Sequence, residues 1–342
     1  MKISFKNDYS EGCHPTILET LLKNNLDQQA GYGLDDYSME ATKIIQDKCK
    51  SPNCNVHYVS GGTQANLIVI SALLRPHESV LAADSGHIAT NETGAIEATG
   101  HKVSTIQTTD GKLHPKQIQE IIERQDKQPH QLKPRMVYIS NSTELGTIYS
   151  KNELEALSVF CKENDLLLFM DGARLGQALM ASTNDLQLEN LAKLTDVFYI
   201  GGTKNGALLG EAIVINNKTL QKDFEYHLKQ KGAMLSKGRL LGIQFLELFK
   251  KDLYFELAKH ANDQCMLLKK AFETAGCEFL VETFTNQIFP ILTQKQIDLL
   301  SLEFEFYSWQ KVDKDRIAVR IITSWATKSQ DTVQFIKRIQ NI

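Results

Sequence analysis

The sequence predicts an α/β fold: a large domain built on a mainly parallel sheet, followed by a smaller α+β C-terminal domain. Three observations predict it. From about residue 53, short apolar runs alternate with helical patterns, as parallel βαβ units require. Several of those runs are apolar throughout, as strands covered on both faces must be. Beyond about residue 240 the texture changes to one long helical stretch and a group of short strand candidates.

The elements follow in order. Residues 55–60 (NVHYVS) read as a buried strand, and a glycine turn leads into a helix over 64–74 (QANLIVISALL). Residues 79–83 (SVLAA) form a strand ending at Asp84, and 136–140 (MVYIS) one ending at Asn141. Between them, residues 125–134 are the most linker-like stretch and join a helix to a strand at the surface. Ser150 and Glu153 make a capping box that starts a helix running to about Asn164. Residues 166–170 (LLLFM) are a strand ending at Asp171, and 197–200 (VFYI) one ending at Gly201. In the C-terminal part a helix is expected over 253–275, strands at 278–281, 287–292, 304–309 and 317–322, and a last helix over 330–339. The chain is thus divided into a large domain, 1–240, and a small one, 241–342. The N-terminal arm, 1–40, is expected to pack with the small domain.

Composition narrows the function. With 342 residues, 42% of them hydrophobic, the chain can bury a substantial core. Its 38 basic and 41 acidic residues nearly cancel, and a net charge of −3 makes no basic field for nucleic acid. Cys13, Cys49, Cys54, Cys161, Cys265 and Cys277 form no CxxC pair and no zinc-spaced cluster with histidine. They read as reduced structural thiols, with no metal site. MKISFKNDYSEG has no apolar signal region, and no run reaches the ~18 apolar residues of a membrane span. A cytoplasmic protein acting on a small molecule, with no nucleic-acid or membrane partner, is expected.

In parallel sheets ligands bind outside the carboxyl ends of the strands. Asp84, Asn141, Asp171 and the GGTKNG turn all fall at such ends. Lys204, in Gly201-Gly202-Thr203-Lys204-Asn205-Gly206, is either a solvated loop lysine or a partly desolvated amine able to attack an aldehyde. Asp171, in Met170-Asp171-Gly172-Ala173-Arg174, either caps the next helix or pairs with a protonated pyridine nitrogen, making the ring an electron sink. Ser60-Gly61-Gly62-Thr63-Gln64-Ala65-Asn66 opens a helix, where free N–H groups can hold a phosphate.

The ordered set SGGTQAN, GHI, DGAR and GGTKNG resembles the low-specificity threonine aldolase group of the β-eliminating lyase family. These are pyridoxal-phosphate enzymes of the aspartate aminotransferase fold (fold type I), and the resemblance runs from Asn7-Asp8-Tyr9 to Arg320. It implies pyridoxal 5'-phosphate carried by Lys204, with Asp171 on the pyridine nitrogen, His87 stacked on the ring, and Gly62, Thr63 and Gln64 at the phosphate. Lys204, His87 and Asp171 would be catalytic. Arg174, also in the cofactor set, and Arg320 would bind the substrate carboxylate, with Asn7 and Tyr32 among the substrate-binding residues. Arg320 in IAVRII shares a strand face with Ala318 and Ile322, which is compatible with pointing inward. The resemblance also implies a homodimer or homotetramer with sites at the subunit interface. Tyr32-Gly33-x-Asp35 would reach the neighbouring site, and Lys229, Lys231 and Arg239 lie in a basic helical region that would either contact the partner's phosphate or form a solvated face.

The implied reaction is retro-aldol cleavage of a β-hydroxy-α-amino acid to glycine and an aldehyde. His87, a water it orders, or Glu144 would take the β-hydroxyl proton. The chain departs from many members in three places: Asn7 stands where they have Ser, Ser142-Thr143-Glu144 follows Asn141 where they have Thr-His, and Gly86 precedes His87. The alternatives are another pyridoxal-phosphate lyase or aminotransferase, and a catalytically silent binding protein on the same fold. No GxGxxG follows an early strand, which disfavours a dinucleotide-binding oxidoreductase.

Overall fold

The computed structural model describes residues 2–124 and 129–340. Residues 125–128 of the linker-like stretch lie outside the described residues. Its last two residues belong to a strand instead, because the strand begins at Lys133 and Pro134 sits at its start, where a missing N–H is tolerated.

The first strand, β1, is Ile3–Ser4. Seven more build the large sheet: β2 (Asn55–Val59), β3 (Glu78–Ala83), β4 (Lys102–Ile106), β5 (Lys133–Ser140), β6 (Leu167–Asp171), β7 (Val197–Gly201) and β8 (Glu211–Ile215). Their order is β2-β8-β7-β6-β5-β3-β4. Only β8 runs against its neighbours, pairing antiparallel with β2 and β7. β4 and β8 were not foreseen. KVSTI is partly exposed, and EAIVI follows the GGTKNG turn without an intervening helix.

Period-two geometry explains why the central strands are apolar throughout. Val137, Ile139, Leu168, Met170, Phe198 and Ile200 enter the core on one face. Met136, Tyr138, Leu167, Phe169, Val197 and Tyr199 enter the core on the other. β2, expected to be buried, is an edge strand and only its last residue, Val59, is fully covered. Helices Gly62–Leu73 and Lys151–Glu163 form where the sequence places them, and the Ser150–Glu153 capping box is present.

In the C-terminal part, β9 (Gln287–Ile288), β10 (Ile291–Thr293), β12 (Tyr307–Lys311) and β13 (Arg316–Ile322) form an antiparallel sheet beside the helix Leu253–Thr274. The single strand expected over 287–292 is broken at Phe289-Pro290, since proline has no N–H for the ladder. The strand expected at 278–281 reduces to one bridge between Phe279 and Pro290. The 304–309 candidate divides into β11 (Phe304–Glu305), which pairs in parallel with β1, and β12. Ile322 N–H donates to the Phe5 carbonyl at 2.9 Å, and Phe5 packs among Phe304 and Phe335. The N-terminal arm is therefore pinned to this sheet just before Asp8. No helix among the described residues is long and apolar enough to cross a membrane.

Candidate active site

Three neighbouring strands end side by side. β5 gives Ser140 and Asn141, β6 gives Asp171, and β7 leads through Gly201 into the Lys204 turn. Asn141 N–H donates to the Asp171 carbonyl at 2.9 Å, which continues the β5–β6 ladder one residue past the strand. A Cβ on Gly172 would sit 1.8 Å from the Tyr199 carbonyl oxygen, so only glycine lets β6 and β7 close together here.

Asp171 is 3% exposed. The Tyr138 hydroxyl and the Asn66 amide, at 3.2 Å, donate to Oδ2, and Ala173 N–H donates to Oδ1 at 2.9 Å. Burial pushes the Asp171 carboxyl up. The His87 charge, the Tyr138 and Tyr199 hydroxyls and the Ala173 N–H outweigh that and hold it below the ordinary value. The carboxylate is thus kept ionised in a buried place. Asp171 does not cap the next helix, Leu175–Leu179, whose N-cap is Arg174; its bond to Ala173 N–H closes the turn before that helix.

His87 opens a short helix after β3, and its Nδ1 lies 2.7 Å from Glu92 Oε1. Asn66 Nδ2 donates to that same oxygen at 3.1 Å and so links Glu92 to Asp171. Burial lowers the His87 pKa, but the Glu92 bond and the Glu144 and Asp171 charges raise it above the ordinary value overall. Sequence reasoning missed Glu92 and Asn66 as partners. The local signal was an acid five residues after His87.

The Lys204 turn is clamped on all sides. Gly202 N–H reaches the Gly210 carbonyl at 3.0 Å and Glu211 Oε2 at 2.9 Å. Thr203 Oγ1 accepts from Gly210 N–H at 2.9 Å, and the buried Asn205 amide donates to the Tyr254 carbonyl at 2.7 Å. Burial, then the Arg174 charge, lower the Lys204 pKa, while Asp8, Glu144 and Asp171 pull the other way. The balance makes the neutral, nucleophilic form of the amine easier to reach than in a solvated lysine. Burial pushes the Glu211 carboxyl up to about 8, against the Thr203, Lys204 and Gly202 contacts.

At the helix Gly62–Leu73, Gly61 provides no side-chain cap. The first backbone bond of this helix runs from Ala65 N–H to the Gly61 carbonyl, 3.0 Å. The N–H groups of Gly62, Thr63 and Gln64 precede it and are the unpaired donors of a helix start. The Gln64 side chain is already engaged: its oxygen accepts from Ser60 N–H and Oγ at 3.0 and 2.9 Å, and its amide donates to the Lys231 carbonyl. Any anion contact from Gln64 thus comes from its backbone. Asn141 Nδ2 is buried and, among the described residues, has no hydrogen-bond partner; a ligand's acceptor would satisfy it. An ionised acid, an orphaned donor, a lowered lysine and an anion-binding helix start fit a ring bearing a basic nitrogen, an oxygen, an aldehyde and a phosphate.

The arginines differ. Arg174 is buried in a two-point ion pair with Asp8, Nε to Oδ2 at 2.7 Å and Nη2 to Oδ1 at 3.0 Å. Among the described residues Arg320 has no carboxylate partner. Its Nε and Nη2 donate to Gln287 Oε1 at 3.0 and 2.7 Å, and the guanidinium lies 5.1 Å from the Trp309 ring centre. Burial, then the Arg174 charge, pull the Arg320 pKa down to about 10. An anion placed there would relieve that repulsion. Asn7 lies next to Asp8, its oxygen accepting from Tyr9 N–H at 3.0 Å and Ser10 Oγ at 2.9 Å. Tyr32 lines a cavity with His57 and Tyr58, and the Lys229 ammonium is 4.6 Å from its ring centre. Arg239 donates to the carbonyls of Asp27 and Asn25. Among the described residues no cluster of three or more His, Cys, Asp or Glu could hold a metal.

The β-eliminating lyase family model matches residues 15–295. A low specificity L-threonine aldolase of Pseudomonas aeruginosa is 33% identical over 311 residues, 89% of each chain. Another, from a Pseudomonas species, is 33% identical over 330 residues, 95% of this chain and 93% of its own. The solved structure of Leishmania major threonine aldolase superposes with a TM-score of 0.97 at 45% identity, covering 99% of both chains. Thermus thermophilus aspartate aminotransferase, at 13% identity and a TM-score of 0.72, shares the fold.

Proposed function

This chain belongs to the β-eliminating lyase family, and we propose that its site cleaves β-hydroxy-α-amino acids of the L-threonine and L-allo-threonine type to glycine and an aldehyde. It is a carbon–carbon lyase that works with pyridoxal 5'-phosphate. The observation that carries the reading is the pairing, at adjacent strand ends, of an ionised buried Asp171 with a Lys204 amine of lowered pKa.

Bound pyridoxal phosphate supplies an electron sink for the bond broken at Cα. The protein's part is placement and charge. Lys204 is the amine that holds the cofactor. Asp171 keeps the pyridine nitrogen protonated. The N–H groups of Gly62, Thr63 and Gln64 would hold the phosphate, and His87, oriented by Glu92, would contact the ring. Arg320 takes the substrate carboxylate, which fixes rotation about the Cα bonds and so selects the one that breaks. Arg174 completes that anion site while Asp8 holds its fork in place, and Asn7 lies on the same arm.

We read the assembly as a homodimer or homotetramer with sites at the subunit interface and Tyr32 reaching the neighbouring site. Support comes from the apolar exposure of the segment around Tyr32: Leu22 is 80%, Leu26 90% and Leu34 68% exposed. Light scattering on the purified chain tests this. The activity is tested by incubating the protein and pyridoxal phosphate with L-threonine, L-allo-threonine and phenylserine. Glycine with the matching aldehyde is expected; a keto acid without glycine would establish the aminotransferase alternative instead.

A further inference from the structure

We infer that Glu144 is the group that receives the β-hydroxyl proton of the substrate. The inference rests on the aldolase reading above and names a catalytic residue within it.

Glu144 stands in the turn that follows Asn141. Thr143 N–H bonds the Thr147 carbonyl and Gly146 N–H the Thr143 carbonyl, each at 2.9 Å. The Thr143 and Thr147 hydroxyls lie 2.7 Å apart, and Thr147 Oγ1 donates to the Asp110 carbonyl at 2.7 Å. On its other side the turn is bound to the segment that carries Gln287. Thr285 Oγ1 donates to the Gly146 carbonyl at 3.0 Å, and a Cβ on Gly146, whose φ is +77°, would lie 3.2 Å from the Gln287 carbonyl oxygen. Gln287 is the residue that holds Arg320. The turn therefore fixes Glu144 relative to both the Asn141 strand end and the carboxylate anchor.

The Glu144 carboxylate is in a residue only 8% exposed. Among the described residues it makes no hydrogen bond and no ion pair. Its charge nevertheless acts on His87, Arg174, Lys204, Arg320 and Tyr138 together. The other site acids are engaged: Asp8 by Arg174, Asp171 by Tyr138 and Asn66, Glu92 by His87. A carboxylate in a largely buried residue, with no protein donor among the described residues and with its charge felt at both the cofactor lysine and the substrate arginine, is placed for a donor on the substrate. A β-hydroxyl is such a donor; the substrate carboxylate, which Glu144 would repel, is not.

In the step so assigned, the hydroxyl proton passes to a Glu144 oxygen as the Cβ–O bond becomes a carbonyl. The Cα–Cβ bond breaks, its electron pair is left on Cα, and the aldehyde departs. Protonation of Cα completes glycine, and Glu144 returns its proton to solvent.

The test compares two reactions of the pyridoxal-phosphate-loaded protein. Cleavage of L-threonine needs the hydroxyl base. Exchange of the glycine α-proton in deuterium oxide, followed by NMR, does not. For Glu144→Gln, cleavage should fall on the order of 10²-fold or more, as for loss of a general base. Glycine exchange and the glycine dissociation constant, read from the cofactor spectrum, should change by no more than about threefold, a shift of under 1 kcal/mol. Glu144→Asp should recover part of the cleavage. Undiminished cleavage by Glu144→Gln overturns the assignment, and so does an equal loss of cleavage and exchange. A wild-type protein that exchanges glycine but cleaves no β-hydroxy amino acid overturns the aldolase reading itself, and the Glu144 role with it.

Discussion

Asp8 and Arg174 meet in a buried two-point ion pair, although one lies on the N-terminal arm and the other just beyond β6. Asn286 also donates to Asp8 Oδ2, at 2.9 Å. The arm is thereby tied to the floor of the site, and the Arg174 fork is presented in one orientation.

Removing one member of such a pair leaves the other charge buried and uncompensated. Asp8→Asn should therefore destabilise the fold by about 3–5 kcal/mol at neutral pH. Burial raises the Asp8 carboxyl, but Arg174, Lys204 and Asn286 bring it below its ordinary value overall. A folded pKa below the unfolded one means the stabilisation is fully present above the ordinary aspartate value, about 3.9, and is lost as pH falls through the folded value. Urea midpoints of wild type and Asp8→Asn should differ at pH 7 and converge in acid. Equal midpoints at pH 7 would show that the pair contributes nothing net.

Lys204 is the expected attachment point of the cofactor. Borohydride treatment of the loaded protein should fix the cofactor to the peptide containing Lys204, with loss of the visible band. Lys204→Ala should carry no fixed cofactor after the same treatment. Recovery of the label on another lysine in the wild type would remove the assignment.

Asp171→Asn should fold and still bind cofactor, because the amide keeps the shape and can accept from Tyr138. A neutral amide cannot hold the pyridine nitrogen protonated. Turnover should fall on the order of 10²-fold or more, with an altered cofactor spectrum. Near-normal turnover and an unchanged spectrum would reduce Asp171 to its bond to Ala173 N–H.

Arg320→Lys keeps the charge and loses the planar fork. Its bond to the substrate is of the charged class, about 1.5–3 kcal/mol, so kcat/KM should fall roughly 10- to 100-fold. The fall should appear in both KM and kcat, because the fork also orients Cα, while the cofactor spectrum stays normal. Wild-type kinetics for both Arg320→Lys and Arg320→Ala would exclude the carboxylate role.

Much of the site could be read locally. Asp171, Lys204 and the Gly62 helix start each close an apolar run or open a helix, and those patterns lie within a few consecutive residues. Misread strands had local causes as well. Pro290 interrupts the strand expected over 287–292, and β2 reads as buried because an edge strand can be as apolar as a central one.

The partners could not be read this way. Glu92 and Asn66 join His87 to Asp171 across a helix and two strands, and Gln287 meets Arg320 between β9 and β13.

The sequence by itself determined the parallel α/β class, the residues at the strand ends, and the chemistry those residues can perform. Strand periodicity and helix starts are properties of neighbouring residues, so composition and spacing carry them. Tertiary structure alone decided that Asp8 occupies Arg174 and that, among the described residues, Arg320 has no acid partner and Glu144 no protein donor. Those outcomes depend on the crossing order of the large sheet and on how the N-terminal arm and the C-terminal sheet close over it. Each contact joins residues far apart in the chain, and no local pattern marks which distant side chain will satisfy a buried charge.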